Sequence, residues 1–159
     1  MNESVPAPVS RPSRFLPGSR PSADARGHRY VHVVESKVWV DDRLADESWA
    51  THFLGHLDDH AWWGVDVPRG DDPSYGSALD LFSFFGRVPE DEWLVAGRAV
   101  QLVDWARTHR FCGRCGTPTD IAANERAMKC GACGLTAFPR LAPAMITVVT
   151  RGGRGPDQE

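Results

Sequence analysis

The sequence has no long apolar run: nothing approaches the roughly 18 consecutive apolar residues of a membrane-spanning helix. It also lacks an excess of charge of either sign. Lys and Arg total 18 against 21 Asp and Glu, a formal net charge of −3, so no overall field argues for nucleic acid as a tight partner. Cysteine is scarce, and all four residues fall between Cys112 and Cys133. That clustering excludes a disulfide framework spread over the fold. Residues 1–27 lack the apolar segment of a secretory signal and instead carry Pro6, Pro8, Pro12, Pro17 and Pro21 among several arginines. Such a stretch buries too little to offset chain entropy, and a disordered tail over 1–27 is expected. With no targeting segment recognised, the expected location is cytoplasmic. No Ser/His/Asp set and no Gly-rich phosphate loop stands out.

What is present is an ordinary globular composition, 42% hydrophobic with six Trp in 159 residues, enough for one domain or two small ones. Tyr30, Val31, Val33, Val34, Val38, Trp39 and Val40 are β-branched or aromatic and read as two strands about a turn at Glu35-Ser36-Lys37. Residues 46–60 read as partly helical, 61–67 as a strand and 68–77 as a loop. Residues 78–87 are apolar without a clear period. Pro89 opens the clearest helix, with Glu90, Asp91 and Glu92 at its positive end and Arg107, His109 and Arg110 at its negative end. Trp93, Ala96, Val100 and Val103 recur at helical spacing, widened by Ala99 and Ala106.

The helix runs into Cys112-Gly113-Arg114-Cys115-Gly116 and, 14 residues on, Cys130-Gly131-Ala132-Cys133-Gly134. The interval is one short of the roughly 15–20 residues usual between paired zinc knuckles. Two residues between cysteines let both sulfurs of a tight turn face one point about 2.3 Å away. A glycine after each second cysteine accepts the positive φ that turns backbone N–H groups toward the thiolates. Four thiolates leave zinc no open coordination position, so Cys112, Cys115, Cys130 and Cys133 predict a structural rather than a catalytic zinc. An iron–sulfur site or a redox dithiol is the alternative. The intervening residues predict one or two short strands of a ribbon.

Around these cysteines the sequence resembles NADH pyrophosphatases of the Nudix hydrolase superfamily. The motifs that carry the likeness are Ala96-Gly97-Arg98-Ala99-Val100-Gln101-Leu102 with Trp105, then Arg110-Phe111-Cys112-Gly113-Arg114-Cys115-Gly116-Thr117-Pro118. They continue through Ala127-Met128-Lys129-Cys130 and Phe138-Pro139-Arg140-Leu141-Ala142-Pro143-Ala144. The resemblance covers about residues 89–150 and implies an α+β chain. Its parts are a small N-terminal α/β domain over 28–108, with the connecting helix, a four-cysteine zinc ribbon over 109–138, and the start of a Nudix α/β/α domain over 139–159. The implied reaction is cleavage of NADH or NAD to nicotinamide mononucleotide and AMP, extending to removal of NAD caps from RNA, by a homodimer. Phe138 stands where the family has a Tyr that stacks on the substrate base, and an aromatic face does that without the hydroxyl. Glu125 matches a substrate-contacting position.

Nudix hydrolases carry the box G-x5-E-x7-R-E-U-x-E-E-x-G-U, with U aliphatic, whose glutamates hold Mg²⁺ or Mn²⁺ against the pyrophosphate. Here Pro143–Thr150 reads as the first Nudix strand, and only Arg151–Glu159 follow. The box is absent from these 159 residues, so the chain reads as ended early relative to the family and is expected to be inactive alone. The alternative is a non-catalytic zinc-ribbon module that dimerises or binds protein or nucleic acid. Further candidates each have a plainer reading. His52, His56 and His60 share a face on a helix and suit a second metal, or are packed and solvated. Trp39, Trp62 and Trp63 form a ligand platform or a core. Phe82, Phe84 and Phe85 cover the helix or serve a dimer contact. Arg107, His109, Arg110 and Arg114 bind phosphate or RNA, or only answer the helix dipole.

Overall fold

The computed structural model describes residues 14–71, 78–123, 125–140, 145–147 and 149. The β-branched run ending at Val34 forms β2 (Gly27–Val34), which turns at Glu35, φ 53°, into β3 (Lys37–Asp41). Val33 lies opposite Val38 and Tyr30 opposite Asp41. A second hairpin joins β4 (Ala50–Leu57) to β5 (His60–Asp66), with Asp58 at φ 52° in the turn. β5 then pairs in parallel with β2. The short β1 (Phe15–Pro17) adds to the β4 edge and β6 (Leu79–Asp80) to the β3 edge, giving one six-stranded sheet in the order β1-β4-β5-β2-β3-β6. α1 (Leu81–Phe84) follows directly, its N-terminus capped by the Asp80 carboxylate, which accepts from the Ser83 N–H at 2.8 Å.

α2 (Glu90–Thr108) crosses one face of the sheet. The expected face is there: Ala96, Ala99, Val103 and Ala106 are buried, joined by Val95, Leu102 and Trp105. Small residues set the close approach. A Cβ added at Gly64 of β5 would sit 3.3 Å from Leu54 Cδ2 and 3.4 Å from Ala99 Cβ. Val31, Val33, Val38, Leu54, Leu57 and Trp62 complete this core from the sheet. The opposite face carries a smaller cluster of Val34, Trp39, Val65 and Val67, with Tyr30, Leu44 and Trp49 against it.

Three expectations fail here. Residues 46–60 are not helical, because β4 is held on both edges, by β5 and by β1, and sheet pairing outweighs a weak local helical preference. The stretch 14–26 is no disordered tail, since Phe15 packs on the main core and Arg14 pairs with Asp58 at 2.9 Å and Asp91 at 3.6 Å. The remainder of that expectation, on residues 1–13, lies outside the described residues. The strand expected over Pro143–Thr150 is not formed by its described residues, Met145, Ile146, Thr147 and Val149, which are exposed and irregular. An apolar strand needs a partner edge for its backbone groups, and none pairs with it among the described residues. The loop expected over 68–77 is a turn as far as Asp71, and 72–77 lie outside the described residues. Within the described residues no helix is long and apolar enough to cross a membrane.

Beyond α2 the chain makes a second, three-stranded antiparallel sheet, β7 (Thr119–Ile121), β8 (Met128–Cys130) and β9 (Thr136–Ala137). It docks on the first domain. Met128 is buried in the main core, and the Arg126 guanidinium donates to the carbonyls of Phe53, at 2.7 Å, and Gly18. Those carbonyls lie where the β1–β4 ladder ends, so the arginine satisfies backbone acceptors that the sheet leaves open.

Candidate metal centre and the surfaces beside it

The two cysteine pairs sit on matching turns. Gly116 and Gly134, each at φ 73°, donate their N–H to the carbonyls of Cys112, at 2.9 Å, and Cys130, at 3.0 Å. Cys112 N–H donates to Thr117 O at 2.8 Å and Cys130 N–H to Leu135 O at 2.9 Å. The first turn hangs from the end of α2 and the second from β8. The registry Thr119↔Cys130 brings them together.

All four ligand atoms lie within 4.8 Å of one another. Cys112 and Cys133 sulfurs are 3.5 Å apart, as are those of Cys115 and Cys130. These separations exceed the S–S bond of about 2.05 Å, and all four cysteines are free. They approach the edge of about 3.8 Å that a tetrahedron with arms of about 2.3 Å requires. The electrostatics ask for a cation. Hydrogen bonds from the Thr117 side chain and backbone hold the Cys115 thiol down to about 6. Backbone N–H groups of Arg114 and Cys115 lower Cys112 as well. At Cys133 the N–H of Leu135 favours the thiolate, yet the Cys112, Cys115 and Cys130 sulfurs with burial push it up to about 11. The fourth negative charge is thus resisted by the other three, and a dication removes that resistance. The four-cysteine ribbon fits structural Zn²⁺, and four sulfurs would saturate it.

The other sequence candidates disperse. His52 and His56 lie on β4 and His60 on β5, and a bulge between Phe53 and Gly55 inserts one residue between the first two. His52 therefore sits opposite Gly64 on the α2 side, while His56 packs on the Phe53 ring at 5.1 Å on the other side. Among the described residues only the four cysteines group as metal ligands. Trp39 and Trp62 are core residues, and the Trp63 indole donates to His28 Nδ1 at 3.1 Å. Phe84 is buried, whereas Phe82 is 89% exposed and Phe85 is exposed beside Trp93.

The arginine cluster is divided too. Arg107 turns inward, pairing with Asp66 at 2.6 Å and donating to the carbonyls of Val33 at 3.0 Å and Val67 at 3.1 Å. It ties α2 to the sheet and is spoken for. Arg110 lines an open cleft of about 1160 Å³ together with Trp49, His52, Asp66, Asp104 and Ile121. Phe138 follows β9 and is 52% exposed, and Glu125 is exposed in the β7–β8 connection. Two features had no signal in the sequence: Arg126 as the bond between ribbon and sheet, and the stacking of buried His32 on Trp39 at 4.6 Å. Both depend on pairings far apart in the chain.

Comparison with known proteins follows the same two units. Residues 10–105 match the family described as the NADH pyrophosphatase-like rudimentary NUDIX domain. Residues 107–138 match the NADH pyrophosphatase zinc ribbon domain. The NAD-capped RNA hydrolase NudC of Deinococcus radiodurans is 46% identical over 160 residues, covering 96% of this chain and 55% of the relative. The protein of that name from Stutzerimonas stutzeri is 44% identical over 101 residues, 62% of this chain and 36% of the relative. The one from Pseudomonas putida KT2440 is 40% identical over 101 residues, 64% and 37% respectively. The chain spans about half the length of the first of these relatives and less of the others.

Proposed function

The chain belongs to the NADH pyrophosphatase-like Nudix family, and from that membership we propose that it forms the N-terminal and zinc-ribbon portion of a hydrolase acting on NAD(H). The family reaction gives nicotinamide mononucleotide and AMP, and NAD-capped RNA, named for the relatives, is the extended substrate. The observation that carries this reading is the run of two family matches over 10–105 and 107–138, with the four sulfurs of the second within 4.8 Å of one another.

In this reading Cys112, Cys115, Cys130 and Cys133 hold one Zn²⁺, which braces the ribbon and takes no part in hydrolysis because it keeps no open position. The ribbon then presents two side chains to substrate. Phe138 offers an exposed ring for stacking on a base, and Glu125 offers a carboxylate to hydroxyl or amide donors. Residues 139–159 lead into the Nudix domain, where Mg²⁺ or Mn²⁺ on the box glutamates would supply the activated water. Since these 159 residues contain no such box, the chain by itself positions but does not cleave. A homodimer belongs to the same reading, and the exposed Phe82 and Phe85 give it an apolar surface. Four free cysteines suit a reducing cytoplasm.

The test is direct. Purified chain is expected to contain one zinc per polypeptide and to release no AMP from NADH with Mg²⁺ or Mn²⁺. It is expected to bind NAD more weakly after Phe138→Ala. Zinc well below one per chain in metal-replete protein, or hydrolysis at an enzymatic rate, would refute the assignment. The alternative of a nucleic-acid module predicts RNA binding that weakens with salt.

A further inference from the structure

Charge is divided unevenly along the chain. Residues 14–106 carry nine Lys and Arg against sixteen Asp and Glu. Residues 107–140 carry Arg107, Arg110, Arg114, Arg126, Lys129 and Arg140 against only Asp120 and Glu125. The near neutrality of the whole conceals an acidic sheet domain and a basic ribbon, and such asymmetry marks the basic unit as the one suited to a polyanion. Two of the six cations are committed, Arg107 to Asp66 and Arg126 to backbone carbonyls. The other four are exposed, and none forms an ion pair among the described residues. Even the two negative charges of Zn²⁺ held by four thiolates leave the ribbon positive.

The ribbon's register sorts its side chains onto two faces. Met128 pairs with Ile121 and Ala137 and is buried against the first domain, so that row faces inward. The next row, Asp120, Lys129 and Thr136, therefore faces outward. Phe111 pairs with Pro118, two residues before Asp120, and lies on the same outward face. Phe138 follows Thr136 by two residues, at the edge beyond β9. Burial agrees with this sorting. Cys112, Met128 and Cys130 are buried, whereas Phe111 is 64% and Phe138 52% exposed, and Lys129 is exposed. The outward side thus has a ring toward each edge and the Lys129 ammonium on the strand between them. Arg114 stands exposed in the knuckle that follows Phe111, and Arg140 two residues past Phe138. Asp120 is the one acid in these rows.

Exposed rings interleaved with unpaired cations suit a single strand of nucleic acid, whose unstacked bases take the rings and whose phosphates take the cations. We propose that this outward face binds the single-stranded RNA body of the substrate, a base stacking on Phe111 and phosphates meeting Lys129, Arg114 and Arg140. The choice of RNA among polyanions rests on the hydrolase reading, which already assigns Phe138 to a base. Phe111, Lys129, Arg114 and Arg140 are new to it, and they carry the strand away from that base across the ribbon. Arg110 takes no part, since it lines the open cleft instead.

Fluorescence anisotropy of a 3′-labelled, uncapped RNA of about ten nucleotides tests this on the zinc-loaded chain. Saturable binding is expected at about 1–100 μM in low salt, with a slope of about −2 in log affinity against log salt for three phosphate contacts. Phe111→Ala is expected to weaken binding about tenfold and Phe111→Tyr to retain it. Lys129→Gln is expected to weaken it about threefold and make the slope shallower by about 0.7. Asp120→Asn is expected to strengthen it, a gain that misfolding cannot produce. All three side chains are exposed, and zinc content checks that each variant folds. A duplex of the same RNA hides its base faces and is expected to bind more weakly. NAD affinity, lowered by Phe138→Ala and untouched by Phe111→Ala, tests the hydrolase reading separately, so either can fail alone. No saturable RNA binding below about 1 mM, unchanged affinity in Phe111→Ala, or equal affinity for the duplex would each overturn the proposal.

Discussion

Replacing Arg107 by Met separates a structural arginine from a phosphate-binding one. The side chain is 28% exposed and its partner Asp66 26%, so the pair sits mostly out of water. Two guanidinium nitrogens reach the same carboxylate oxygen, at 2.8 and 2.6 Å, and the Nη2 atom also serves two backbone carbonyls. Val33 O retains the Val67 N–H at 3.1 Å after the change, whereas Asp66 and Val67 O are left short of a donor. Breaking a fully buried pair costs about 3–5 kcal/mol. With about a quarter of each side chain exposed, water repays part of that, and roughly 2–3 kcal/mol is expected. For a chain of this size that lowers the melting temperature by roughly 5–10 °C. Urea unfolding at neutral pH, followed by tryptophan emission, measures the change. The double variant Asp66→Asn with Arg107→Met is expected to recover about half of it, since the stranded carboxylate is gone. A single variant within about 0.5 kcal/mol of the parent chain would refute the reasoning. So would a loss of RNA affinity with stability unchanged.

Three further outcomes follow from the geometry. Gly55→Ala would place a Cβ 2.3 Å from Leu16 O and 2.7 Å from the Phe15 ring, so β1 is expected to leave the sheet, detected as new proteolytic cleavage near Phe15 with the β2–β5 amides still protected. Removing zinc with a chelator is expected to speed amide exchange across residues 112–137 and weaken the docking through Arg126, while the six-stranded sheet keeps its protection; no change in ribbon exchange would count against a structural zinc. Burial pushes the His32 imidazole down to about 4 despite nearby Asp41, so the unfolded chain takes up this proton first as pH falls from 6.5. Stability is therefore full above 6.5 and declines until about 4. That difference implies about 3 kcal/mol, and the decline should be absent in His32→Gln.

The zinc centre was legible because its geometry is local. A C-x2-C-G turn closes on itself, and each knuckle needs only its own residues and a glycine at positive φ. Only the meeting of the two knuckles required tertiary structure, and the Thr119↔Cys130 register brings it about. The β2–β3 hairpin and α2 were legible for the same reason, since their periods and turn residues lie within a few positions of one another.

The segment from 46 to 60 was not legible. Its identity as a strand depends on β5 and β1 lying on either side, and one bulge residue then sends His52 and His56 to opposite faces. A spacing of four, which reads as one face of a helix, becomes two faces of a sheet. Charge signs near the end of α2 were equally visible, but not their use. Whether Arg107 faces solvent or Asp66 depends on contacts 41 and 74 positions away. The sequence by itself determined the family, the zinc ligand set and the elements whose hydrogen bonds close nearby. Tertiary structure alone decided that Arg107 is spent holding α2 to the sheet and Arg126 holding the ribbon to it. That assignment is made by chain segments that meet only after folding.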